Sequence, residues 1–385
     1  MHENFDIGIE DADELAGITL CGERVRIGTP GDYKPCVAKL PGGELVLTAF
    51  FPGAFGAGPR YKCREDMLLF RSRDGGCSWQ GPENLTVGKG LLGREPYISM
   101  LADGTMLVTV HFLIDDARNP WGYCRSFLHR STDGGLTWET TVAEPEGARS
   151  GESSCTTRNV LERADGSLLL GVSGEGAMGM HVWRSFDGGR TWSERYPARI
   201  DGLDDSYPYP FFGEGVWWEA PSGKVYLVNR LDWRYAGEMG FEMPDVQGYS
   251  DQYDRLMVYE TTDDGHTFQP VRGLGTVGEM YPAILKLQDG RLLLTYTVRS
   301  IREPLGIRAV IGTEEPDGFN FHMDRDRLLL DTQTAPGVTS GGGFGRTEQL
   351  EDGTLVTSYS WRDAEHVTHM EVARWRLEPA TVTPA

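Results

Sequence analysis

One short pattern recurs six times along this chain, and it leaves few folds open. Each copy is an apolar run, a turn ending in glycine, and a second apolar run. The copies are YKPCVAKLPGGELVLTAF (33–50), REPYISMLADGTMLVTVH (94–111), TTRNVLERADGSLLLGVS (156–173), GEGVWWEAPSGKVYLVNR (213–230), MYPAILKLQDGRLLLTYT (280–297) and GRTEQLEDGTLVTSYSW (345–361). Their turn glycines are Gly43, Gly104, Gly166, Gly223, Gly290 and Gly353, at separations of 61, 62, 57, 67 and 63 residues. Two apolar runs joined by a turn that needs positive φ read as a β-hairpin, and glycine adopts that φ with no Cβ to clash. A second motif follows most hairpins: SRDGGCSW (72–79), STDGGLTW (131–138), SFDGGRTW (185–192) and TTDDGHTF (261–268). Its Ser/Thr and Asp side chains suit the backbone of a tight turn, and its Trp or Phe fills the layer between neighbouring sheets. The fifth unit keeps only EPDGFNF (315–321).

Two hairpins per unit make a four-stranded antiparallel sheet. Six such sheets at this period predict an all-β chain, a six-bladed β-propeller with Asp-box turns. The units read roughly 30–92, 93–150, 151–205, 206–275, 276–340 and 341–380, in one domain spanning 1–385. The segment ITLCGERVRIG (18–28) is expected to supply the outer strand of the last unit. Length alone would have suggested two or three domains. The 50 glycines in 385 residues, well above the usual share of about 7%, are accounted for largely by the repeated turns.

Composition excludes several partners. A formal net charge of -20 argues against a nucleic-acid backbone, which is held by basic patches. No apolar run approaches the ~18 residues of a membrane span. The start, MHENFDIGIEDADEL, has no basic or apolar signal region, so a cytoplasmic location is expected, or a secreted one if a leader has been removed. Six cysteines without a C-x-x-C suggest neither a disulfide framework nor zinc, and no metal or cofactor is expected.

In an up-and-down unit the first strand begins, and the second ends, on the rim opposite the glycine turns. Counting from each glycine, the residues nine or ten before it and six or seven after it converge there. They include Lys34, Arg94, Glu95, His111, Glu214, Arg230, Tyr281 and Tyr359. Carboxylates for proton transfer, cations for acidic groups and aromatics for ring faces are the composition of a sugar site. Asp74, Asp133 and Asp187 of the octads fall on the other rim and read as structural.

Octads and hairpins together resemble the sialidase superfamily of six-bladed propellers, over nearly the whole chain. The resemblance implies a Tyr nucleophile activated by a Glu, an Asp general acid/base, and three arginines on a substrate carboxylate. By that resemblance Glu214 is the Glu, Tyr359 the nucleophile, Arg230 the second arginine and Arg308 the third. The family's F/Y-R-I-P sequence reads Tyr33-Lys34-Pro35-Cys36 here. Lys34 therefore stands near the first arginine's place, as a point charge without the bidentate fork. The loop FPGAFGAGPRYKCRED (51–66) has no clear match for the Asp. The chain adds Arg94, Glu95, Arg158, Arg346 and Glu348 on the same rim.

The expectation is a sialidase-like glycoside hydrolase acting on an acidic glycan, either sialic or uronic. Glu214 and Tyr359 form its nucleophilic pair, with Glu95 as acid/base. Arg230, Arg308, Arg94, Arg158, Lys34, Arg346, Tyr281 and His111 bind substrate. Two alternatives stand beside it: a polysaccharide lyase with Tyr359 or His111 as base, and a carbohydrate-binding propeller without catalysis. The insertion at 233–254 reads as a lid, YPYPFF (207–212) as a subsite wall, and GGGFG (341–345) as a close backbone approach.

Overall fold

The computed structural model describes residues 2–52, 65–114, 123–144, 153–174, 179–202, 213–231, 253–299, 303–338, 342 and 345–377. The expectations at 207–212, for 233–252 and at 341, 343 and 344 lie outside these residues. Strands dominate the described residues, with one short helix at Leu85–Lys89. All six turn glycines have φ between +81° and +88°, as the hairpins require.

Each unit begins with that hairpin. In the first, Tyr33–Lys39 pairs with Leu45–Phe51, which pairs with Asp66–Ser72 and then Gln80–Asn84. The second repeats this with Arg94–Met100, Met106–Ile114, Tyr123–Ser131 and Glu139–Val142. In the sixth, Thr347–Gln349, Leu355–Arg362 and Thr368–Trp375 are completed by Leu20–Ile27 from the N-terminal end.

The four octads share one hydrogen-bond pattern. In the first, the Ser72 hydroxyl donates to Asp74 at 2.8 Å, while the N–H groups of Gly76 and Ser78 donate to Ser72 Oγ and Asp74 Oδ1. Ser131 with Asp133, Ser185 with Asp187 and Thr261 with Asp263 repeat it. These ties run within eight residues, so each turn is encoded locally.

Contacts then pass from unit to unit and return to the start. Arg71 donates to the Gly134 carbonyl (2.7 Å), Arg130 to Gly188 (2.8 Å) and Arg374 to Gly75 (3.0 Å). The last of these joins the sixth unit to the first, as does the Val37 N–H on Ser358 Oγ at 3.1 Å. Apolar side chains interleave between the same neighbours: Ala38, Val46 and Leu69 of the first unit with Ile98, Met106 and Val108 of the second. Burying such a side chain is worth about 1.5–3 kcal/mol, so these seams outweigh the turn ties. The arrangement is propeller-like.

Two connections differ from a set of separate sheets. Glu194–Ile200 and Thr267–Leu274 meet in parallel at Arg199–Thr267 and Ile200–Phe268, fusing the third and fourth units. His2–Glu10 pairs with both Leu20–Ile27 and Arg327–Leu329, fusing the fifth and sixth. No repeat in the sequence marks either pairing, because each joins an outer strand to one outside its own unit. Among the described residues, no helix is long and apolar enough to cross a membrane.

Candidate active site

Four side chains owe their positions to one backbone device. The residue nine before the turn glycine is not glycine, yet it has positive φ: Lys34 (+50°), Glu95 (+54°), Glu214 (+61°) and Tyr281 (+56°). The strand register shifts at three of these places, between Tyr33 and Cys36, Arg94 and Tyr97, and Met280 and Ala283. Such a bulge re-aims a side chain at the end of a strand. Holding an L-residue there costs on the order of 1–3 kcal/mol, a strain that clusters at functional sites.

The four meet in one network of charges. Arg158 Nη2 donates to Glu95 Oε2 at 2.8 Å and to Glu214 Oε1, so both carboxylates share one nitrogen. Lys34 Nζ bonds Glu95 Oε1 at 2.6 Å. Arg230 holds the other oxygen of Glu214 and, through Nε, Asp254 at 2.5 Å. Arg94 reaches Glu65 (3.2 Å) and Glu95 (3.5 Å). Arg299 donates to the Tyr281 hydroxyl at 2.6 Å. The Tyr281 ring lies within 6 Å of Lys34, Arg158, Arg230 and Arg299. Among the described residues, five cations thus face the four carboxylates Glu65, Glu95, Glu214 and Asp254. The side chains of Arg94, Glu214 and Arg230 keep 27%, 13% and 11% of their surface open, which is where a ligand can touch.

Burial and pairing oppose each other here. Burial pushes the Glu95 carboxyl up, but Lys34, Arg158 and Arg94 hold it well below the usual range. Glu214 is likewise pushed up by burial and brought below its ordinary value by Arg230 and Arg158. Burial raises the Tyr281 phenol; Arg299 opposes this and the Glu214 charge adds to it. His111 is lowered to about 4, first by burial and then by Arg158. It is therefore neutral near pH 7. Ser126 Oγ gives its hydrogen to the Ser154 carbonyl, so it accepts from His111 Nδ1 at 2.9 Å. The basic nitrogen is then Nε2, which has Cys155 Sγ at 3.9 Å.

The structure brings Lys34, Arg94, Glu95, His111, Glu214, Arg230 and Tyr281 together, as counting from the glycines anticipates, and adds Arg158, eight before its own glycine. Three expected residues lie elsewhere. Tyr359 is buried in the seam between the fifth and sixth units and donates to Glu371 Oε2 at 2.9 Å. The charges acting on it are Glu371, Asp331 and Arg24, none of which belongs to the Glu214 network. Arg308 is fully buried and bonds Glu10 at 3.3 Å and the carbonyls of Pro304 and Asp331. Arg346 sits two residues further along its inner strand, paired with Glu348 at 2.9 Å. It lines a cavity of about 150 Å³ with Tyr97, Ser99 and Asn159.

Three members were missed from sequence. Arg299 falls nine residues after Gly290, on the same strand face as a residue seven after it. Glu65 and Asp254 each immediately precede a third strand, Asp66–Ser72 and Arg255–Thr261. That shared position was the available signal. Asp66 itself accepts from Asn84 at 2.8 Å. Among the described residues, no group of three or more His, Cys, Asp or Glu side chains is placed to hold a metal ion.

Residues 31–294 match the BNR repeat-like domain family. A xyloglucanase of a Paenibacillus species is 27% identical over 197 residues, which cover 49% of this chain and 17% of that protein's own length. A protein of unknown function from Dyadobacter fermentans superposes with a TM-score of 0.66 at 19% identity, over 98% of this chain and 99% of that one. An intramolecular trans-sialidase from Ruminococcus gnavus gives 0.60 at 11% identity, over 92% and 96% of the two chains. An α-L-arabinofuranosidase from Fusarium graminearum gives 0.60 at 12%, over 92% and 97%. At these identities the structural likeness is one of fold.

Proposed function

This chain belongs to the BNR repeat-like domain family, and from that premise we propose that it is a glycoside hydrolase acting on an acidic glycan. In this reading the ring is one domain of six blades, and the octads are Asp-box turns. One observation carries the proposal: Glu95 and Glu214 accept hydrogen bonds from the same nitrogen of Arg158, beside a phenol ringed by cations. A phenol nucleophile forms a covalent glycosyl intermediate that water then opens, so two successive displacements are expected to retain the anomeric configuration. The solved trans-sialidase and arabinofuranosidase support a glycan as substrate through their shared fold.

Tyr281 takes the part that the family resemblance assigned to Tyr359. Its proton passes to Glu214, while Arg299, Lys34 and Arg230 stabilise the phenolate that attacks the anomeric carbon. Glu95 gives a proton to the departing oxygen, then takes one from the water that cleaves the Tyr281–sugar bond, and Glu214 returns its proton to the released Tyr281 phenolate. Glu95 begins ionised. An acidic sugar entering beside Arg94 and Arg158 adds negative charge, which favours the protonated form of Glu95.

The test uses Glu214→Gln and Tyr281→Phe on a panel of sialic and uronic acid glycosides. Both substitutions are expected to lower kcat/KM by about 10³-fold or more, and NMR is expected to show a retained anomer. Unchanged turnover in both variants would falsify the assignment. A second reading, β-elimination from a uronate, has His111 in its favour, since a neutral imidazole with Nε2 unprotonated can take the C5 proton. Its product carries a double bond that absorbs in the ultraviolet, and hydrolysis gives none.

A further inference from the structure

Four cation–ring contacts join into one ladder. Arg299 lies 5.2 Å from the Tyr281 ring centroid, and Lys34 Nζ lies 4.7 Å from the same ring. Lys34 is also 5.5 Å from the Tyr33 ring, and Arg362 is 5.7 Å from that ring. Cation and phenol thus alternate from Arg299 through Tyr281, Lys34 and Tyr33 to Arg362. The two arginines are equivalent by register, each nine residues after its turn glycine, Gly290 and Gly353. The inner rungs are buried: Tyr281 at 2%, Lys34 at 3% and Arg299 at 7% exposure. The outer pair, Tyr33 and Arg362, is half-buried.

The outer pair is held in place. Tyr33 packs on Phe50 with 5.5 Å between centroids. The Arg362 backbone donates to Thr334 Oγ1 at 3.4 Å and accepts from the Ala335 N–H at 2.9 Å. A guanidinium resting on an aromatic face is oriented before any ligand arrives, and its fork matches a carboxylate. We propose that Tyr33 and Arg362 form a second subsite, which receives the carboxylate of the sugar next to the one held at Arg158 and Glu214. The substrate is then an oligosaccharide with acidic groups on neighbouring residues. This rests on the acidic-glycan reading above and specifies what lies beyond its first sugar.

Calorimetry at fixed ionic strength tests it with galacturonate and digalacturonate, and with N-acetylneuraminate and its dimer. The wild-type chain is expected to bind one dimer about tenfold or more tighter than the matching monomer. Arg362→Gln and Tyr33→Leu remove that gain and leave monomer affinity within about twofold. Arg362→Lys, the mildest change to the fold, keeps the charge but loses most of the gain, and Tyr33→Phe keeps it. A dimer bound no tighter than its monomer by the wild type, or variants that weaken both alike, overturns the subsite alone. If no acidic sugar binds at all, the reading of the main site falls with it.

Discussion

Asp331 should make the stability of this fold depend on pH in a direction opposite to most carboxylates. It is fully buried, at the seam of the fifth and sixth units, and its carboxyl is pushed from the ordinary 3.8 up to about 6. Burial is the main cause, and the Gln333 N–H and side-chain amide, both at 3.1 Å, oppose it. Among the described residues its Oδ2 has no hydrogen-bond partner. Because the folded value lies above the unfolded one, the contribution is fully present at low pH and is lost as pH rises through about 6. A difference of about 2 in pKa corresponds to about 3 kcal/mol, of which about 1 kcal/mol disappears between pH 5 and pH 7. Asp331→Asn is nearly isosteric and neutral throughout. Whatever its fixed cost, D331N should gain about 1 kcal/mol on the wild type between those two pH values. Urea unfolding followed by tryptophan fluorescence, with midpoint and slope compared at both, measures this. A difference between the two proteins that stays constant with pH would refute the buried charge as its source.

Other expectations concern the site. Tyr359→Phe removes one buried hydrogen bond to Glu371, so it should cost about 1 kcal/mol of stability and leave kcat in place. Tyr281→Phe also loses a buried bond, from Arg299, but should abolish kcat; equal losses of activity in the two variants would undo the reassignment. Arg158→Met removes the cation that Glu95 and Glu214 share while Lys34 and Arg230 still pair with them, so it should destabilise the fold by less than the about 3–5 kcal/mol of an uncompensated buried charge. Arg158 helps to hold both carboxyl groups below their ordinary values, so the loss on its removal becomes smaller as pH falls, and chemical denaturation at pH 5 and pH 8 reads the sign. Binding of an acidic sugar should draw a proton onto Glu95, so calorimetry in buffers of different ionisation enthalpy should show uptake; heats that do not vary with buffer contradict the role given to Glu95.

The turns were legible because every group that ties them is local. Ser72, Asp74, Gly76 and Ser78 satisfy one another within a few residues, and Gly43 and its five counterparts need only their own φ. Counting from those glycines also located Lys34, Glu95, Glu214 and Tyr281, since a fixed offset along a strand fixes height on the rim. Direction was harder. Neighbouring residues of a strand face opposite ways, so Arg230, seven after its glycine, joins the site, whereas Tyr359, six after its own, turns into a seam. Glu65 and Asp254 follow long insertions, where the count from a turn no longer holds.

The repeating unit, its turns and the end of each strand where the charged residues gather were readable from the chain alone, because they follow from backbone conformations and contacts a few residues long. Which charges answer each other depends instead on packing between distant parts of the chain. Arg158 meets a carboxylate 63 residues before it and another 56 after it. Arg308 is claimed by Glu10, 298 residues away. Those pairings are set by how the ring closes, and a one-residue change of register or a strand borrowed from the far end of the chain is enough to redirect them.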